Sequence, residues 1–198
     1  SSCPPDFFWG KKNRLMKPPF SSGVSSRPRR RNSRLLLILS LAFLFSPACG
    51  ASVKKDFTLA PDFRPQNVQT MAVINLDPQV RFSHFVEAEL MKKGYRVKEG
   101  TVVGQFVKNE GLVKDGSLDL SALARIGSHL QVQGVVLCSV LEFSRFRDSY
   151  RLSIRCVAPD TGNTLWYAEG AKEGRKGEKS SELLKDIVVS SLKGLPTV

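Results

Sequence analysis

The chain has 198 residues, 41% of them hydrophobic and 24% charged, with four cysteines. That length and balance support one folded domain with appendages and exclude a collagenous, low-complexity or wholly disordered chain; four cysteines are too few for a disulfide-built scaffold. The formal charge of +12 is uneven, because residues 1–34 hold nine Lys or Arg and a single acid, Asp6. The excess is therefore concentrated at one end and is not an argument for nucleic-acid binding.

Taken in chain order, residues 1–15 read as an upstream extension ahead of Met16. Arg27–Arg34 supplies a basic cluster, Leu35–Phe45 an apolar run, and Ser46-Pro47-Ala48 a small-residue break before Cys49. Such an order predicts a secretory signal over 16–48, the apolar run being shorter than the ~20 residues that span a bilayer. Arg30-Arg31 is followed by Asn32, Ser33 and Arg34 rather than apolar residues, which favours general secretion over twin-arginine export. Ser46-Pro47-Ala48-Cys49 resembles a bacterial lipobox, which makes Cys49 the expected lipidation site and the membrane a partner through the acyl chains. Gly50, in the place where Asp retains lipoproteins at the inner membrane, implies the outer membrane and its periplasmic face. Residues 49–66, with Pro61 and Pro65 and no sustained periodicity, read as the lipidated cysteine and a flexible tether.

The body, 67–198, reads as a single α/β domain. Val68–Ile74 is apolar and β-branched, predicting a strand, with Asp77-Pro78 as N-cap and first-turn proline of a helix carrying Phe82, Phe85, Val86 and Leu90. Lys92-Lys93-Gly94 closes that helix, and Tyr95-Arg96-Val97 begins a short strand. Residues 101–109 and 119–128 are expected helices, the second capped by Asp119. Gly134–Leu141, apolar on both faces, reads as a central strand. Ser149–Val157 alternates, with Tyr150, Leu152, Ile154 and Cys156 opposite Arg151, Ser153 and Arg155, and so has one wet face. Asp160–Asn163 is a turn, 164–168 a further strand, Lys172–Lys179 a charged loop, and Leu183, Leu184, Ile187, Val188 and Leu192 line a final helix. The expected fold is α/β, α+β-like, with a mixed sheet, a βαβ start, an antiparallel C-terminal meander and helices packed on the sheet.

No catalytic or metal constellation stands out, and no cofactor is expected. His84 and His129 lack a ligand set at metal spacing, there is no Gly-x-Ser-x-Gly elbow, and Gly174–Ser180 misses the phosphate-loop spacing. Cys138 and Cys156 fall in neighbouring strands, where a disulfide and two buried free thiols are equally open. Phe143, Arg145, Phe146 and Arg147 are the candidate partner surface, since aromatic residues and arginine dominate protein interfaces. Trp166 is expected in the core.

Val68–Ile74 with Asn75-Leu76-Asp77-Pro78, then Gly94–Val97, Leu123–Gly127, Val132–Val136 and Pro159–Trp166 form an ordered series covering most of 66–195. It resembles the envelope lipoprotein superfamily that includes the curli-secretion protein CsgG, the LpoB-type activators of penicillin-binding proteins and the N-terminal domain of TolB. The resemblance implies no catalysis, and envelope proteins or further copies of the chain as partners. Two rivals follow: a self-assembling secretion-pore subunit, for which no spare pair of membrane strands is evident, and a small periplasmic ligand-binding protein or hydrolase, which needs a polar cleft.

Overall fold

The computed structural model describes residues 52–144 and 148–198, so the signal segment, Cys49, Arg145, Phe146 and Arg147 lie outside the described residues. In chain order the elements are β1 (Lys54–Leu59), β2 (Thr70–Asn75), α1 (Ser83–Lys92), β3 (Arg96–Val97), α2 (Gly100–Asn109), α3 (Leu120–Leu130), β4 (Gly134–Ser144), β5 (Ser149–Val157), β6 (Thr164–Glu173) and α4 (Ser180–Ser191). The strands form one mixed sheet in the order β1-β6-β5-β4-β2-β3. β2 runs parallel to both β3 and β4, whereas β4, β5, β6 and β1 follow one another antiparallel. This is the mixed α+β architecture expected.

Alternation of side chains along the strands divides the core in two. Met71, Val73, Val136, Cys138, Leu152, Ile154, Cys156, Trp166 and Ala168 face α1 and α4, which contribute Val86, Leu90, Leu183, Ile187 and Val188. Ala72, Ile74, Val135, Leu137 and Val157 face α2 and α3, which contribute Val103, Leu123 and Ile126. The second layer covers the β2–β4 half of the sheet. On the remaining half that face stays wet, and Arg151 donates to Glu169 at 2.6 Å while the Tyr167 hydroxyl donates to the other carboxylate oxygen at 2.7 Å. The alternation in Ser149–Val157 reports this asymmetry directly.

Local signals explain several boundaries. Asp119 caps α3, its Oδ1 accepting the Ala122 N–H at 2.7 Å, and this bond holds the carboxyl below its usual range. Gly94 ends the α1 segment at φ +91°, a conformation that L side chains rarely adopt. Asp77 departs from expectation. Its Oδ1 accepts the N–H groups of Gln79 (2.8 Å) and Val80 (3.1 Å), closing a local turn, and α1 starts only at Ser83.

The segment read as a tether contains β1, which pairs with β6 from Lys54 opposite Ala171 to Leu59 opposite Trp166. Its burial is low throughout, and Phe57 alone is half-buried, stacking on Trp166 at 6.5 Å. A backbone ladder holds this edge strand more than side-chain burial does, so no alternation marks it in the sequence. At the far end of β6, Lys172, expected in a solvated loop, is buried and donates to Glu178 and Asp186, each at 2.7 Å.

Candidate functional site

Of the expected site residues, Phe143, Cys138 and Cys156 are among those described. Phe143 is exposed and stacks on Tyr150 at 4.8 Å. Arg145, Phe146 and Arg147 fall outside the described residues, as does Cys49. Cys138 and Cys156 are both fully buried free thiols. Cys138 stands opposite Ile154 and Cys156 opposite Val136, which makes them diagonal neighbours. Such positions are ~7–8 Å apart in an antiparallel pair, and a disulfide spans at most about 6.8 Å between Cα atoms. The possible disulfide is therefore not formed, and burial pushes both thiols far up. His84 and His129 lie against Phe85 and Phe106, ring centres 3.9 and 4.1 Å apart. Among the described residues no group of three His, Cys, Asp or Glu could hold a metal ion, and no helix is long and apolar enough to cross a membrane.

Topology creates a site that residue spacing does not announce. From β2 the chain passes through α1 to β3 on one side, then through α2 and α3 to β4 on the other side of β2. Because α1 covers one face and α2 and α3 the opposite one, the connections diverge beyond the carboxyl end of β2. In open α/β sheets this divergence opens a crevice. Here it has a volume of about 640 Å³.

Three elements supply its polar groups. The end of β2 and the loop after it contribute Asn75, Asp77 and Arg81; α1 contributes Ser83 and Glu87; α2 contributes Lys108. Asn75 ties the loop down, its Nδ2 donating to the carbonyls of Asp77 and of Val80 (3.1 Å for the latter). Glu87 is half-buried and has no hydrogen bond or ion pair among the described residues. Burial pushes its carboxyl up, against a smaller opposing pull from His84. An unpartnered, partly desolvated carboxylate is a cost to folding unless something else engages it. Gly100 at the start of α2 lets Glu87 approach, since a Cβ there would lie 2.8 Å from Glu87 Oε1. Gly104, one turn on, faces open space, with nothing within 4 Å of where its Cβ would be. Neither α1 nor α2 has a side chain capping its first turn, so backbone N–H groups remain available where both helices begin. A second concavity, of about 560 Å³ between α3 and the turn after β5, is walled mainly by Val68, Ala124, Val132, Pro159 and Leu165, with Asn67, Ser128, Gln133 and Asp160 at its polar side.

No protein-family model matches the sequence, and no curated protein does. Among solved structures the chain is similar to the PelC dodecamer from Paraburkholderia phytofirmans, at 12% identity and TM-score 0.48 over 74% of this chain and 100% of that one. It is also similar to lipoprotein GNA1162 from Neisseria meningitidis, at 21% identity and TM-score 0.48 over 64% and 99%. A third similar structure is the LpoB C-terminal domain from Salmonella enterica, at 13% identity and TM-score 0.40 over 55% and 84%. These are distant likenesses of fold, and they assign no activity to this chain.

Proposed function

We propose that this chain is a non-enzymatic lipoprotein of the bacterial outer membrane, facing the periplasm, whose domain docks onto other envelope proteins in a secretion or cell-wall-synthesis complex. The observation that carries the reading is the run of basic cluster, apolar segment and Ala48-Cys49 immediately ahead of a folded domain. The order of motifs across 66–195 supports placing the chain in the superfamily of CsgG, LpoB and the TolB N-terminal domain.

The position of β1 sharpens the mechanism. Only residues 50–53 separate Cys49 from Lys54, the first residue of the sheet. Five residue steps span at most about 17 Å when fully extended. A lipidated Cys49 would thus hold the domain against the bilayer surface, and its partners would be met there instead of across the periplasm. Palmitate labelling with membrane fractionation, comparing the chain with its Cys49→Ala variant, tests this. Label in the outer-membrane fraction that disappears in the variant is the expected result. An unlabelled, freely diffusible protein would refute the anchored accessory.

A further inference from the structure

We propose that the crevice at the carboxyl end of β2 binds a small zwitterion, an α-amino acid or the end of a short peptide, with its ammonium group on Glu87 and its carboxylate between Arg81 and the first turns of α1 and α2. This goes beyond the anchoring reading and does not depend on it.

Four observations converge. The crevice lies at the topological switch point of the sheet, where ligands of open α/β folds are held, and its volume of about 640 Å³ is within the roughly 300–1,000 Å³ usual for small-molecule sites. Four charges line it with no ion pair among the described residues: the carboxylates of Asp77 and half-buried Glu87, and the exposed cations Arg81 and Lys108. Ser83 and Gly100, which open α1 and α2, both border it, so the positive ends of two helices face the same space. Gly104 leaves an open gap in the α2 wall between Val103, Val107 and Lys108, where a ligand can approach the backbone.

The signs select the ligand class. A phosphate or simple carboxylate would be drawn by Arg81 and the helix ends yet repelled by the partly desolvated Glu87. A simple amine would leave Arg81 and Lys108 unanswered. A metal ion would find at most two carboxylates, Glu87 and Asp77, and no group of three ligating side chains occurs among the described residues. A zwitterion with its charges a few ångströms apart satisfies both ends, and a net neutral one fits a lining of two acids and two bases. His84, one turn before Glu87 on α1, faces the same carboxylate and is the other titratable group acting on it.

The test is a titration of the purified, ¹⁵N-labelled full chain with glycine, L-glutamate and glycylglycine, using ethylamine and acetate as half-ligands. The expected result is saturable movement of the amide signals of Gly100, Gly104, Gly111 and Gly116 with at least one zwitterion, and at least about tenfold weaker response to either half-ligand. Glu87→Gln should weaken binding by roughly 10- to 100-fold without loss of fold, since the carboxylate has no protein partner to lose. Gly104→Leu should abolish binding by filling the crevice, and its Cβ enters open space. No saturable shift with any of the three zwitterions, or affinity unchanged in both variants, would overturn the proposal. Because the Cys49→Ala chain should bind equally well, loss of the palmitate label and loss of crevice binding are separable results.

Discussion

Gly170 in β6 sits beneath α4, and replacing it with Ala should be among the most damaging single-methyl changes in the protein. A Cβ built there would lie 2.2 Å from Ser191 Oγ, 2.7 Å from Ile187 Cγ2 and 3.4 Å from the Ile187 carbonyl oxygen. Ser191 is almost fully buried and its hydroxyl donates to that carbonyl at 2.8 Å. The methyl must therefore displace α4 or turn the hydroxyl away from its acceptor in a place water does not reach. Overpacking costs about 1–3 kcal/mol, and a stranded buried hydroxyl about 1–3 kcal/mol more. The intrinsic gain of Ala over Gly in a strand, roughly 0.5–1 kcal/mol, opposes this and loses. The net expectation is about 2–4 kcal/mol out of a total in the range of roughly 5–15 kcal/mol. Urea unfolding of the compact unit Cys49–Val198, followed by the fluorescence of Trp166, its only tryptophan, should show a midpoint lowered by roughly 1–2 M at an m-value near 2 kcal/mol/M. Adding Ser191→Ala removes the shortest contact and should recover part of the loss, a coupling of about 1 kcal/mol or more. A Gly170→Ala unfolding free energy within about 0.5 kcal/mol of the parent would refute this account of how α4 seats on β6.

Three further outcomes follow from the same packing. Cys138 and Cys156, buried with their thiols held protonated, should resist maleimide at pH 8 until denaturant is added; prompt labelling of the native protein would contradict their burial. Burial raises the Tyr95 hydroxyl to about 12, with a smaller contribution from Cys156, and the group donates to the Pro196 carbonyl at 3.0 Å. Between pH 10 and 12 the folded state then holds a proton that the unfolded state has lost, so stability should fall as pH rises through this window; Tyr95→Phe should flatten that slope in an alkaline denaturation series. Lys172→Met removes the cation clamped by Glu178 and Asp186, which should loosen the connection between β6 and α4 and speed tryptic cleavage after Arg175 and Lys176. An unchanged cleavage rate would mean that the clamp does not order the loop.

Much of the fold was legible in residue order because it depends on local physics. Asp119 caps α3 through its own side chain, the apolar spacing of Leu183 to Val188 turns one face of α4 to the core, and the alternation of Tyr150 to Cys156 marks a strand with one wet face. These signals lie within a few residues of the element they specify. Trp166 in the core belongs with them, as the inward side of an alternating strand.

What only the tertiary structure decided is what depends on distant partners. β1 exists because β6 offers it a hydrogen-bonding edge, and its own side chains barely record the fact. Lys172 is buried because Glu178 and Asp186 meet it across a loop and a helix turn. Cys138 and Cys156 remain unpaired because strand register, fixed by the whole β4–β5 ladder, sets them diagonally. The crevice beside Glu87 arises where the chain reverses direction around β2, joining residues from Asn75 to Gly116. The amino-acid order by itself determined the helices and strands whose apolar spacing or capping is local, from β2 through α4. The pairing of strands and the crossing of the chain over the sheet decided how long the link from Cys49 to the fold is, and where unpaired charges of opposite sign come to share a cavity.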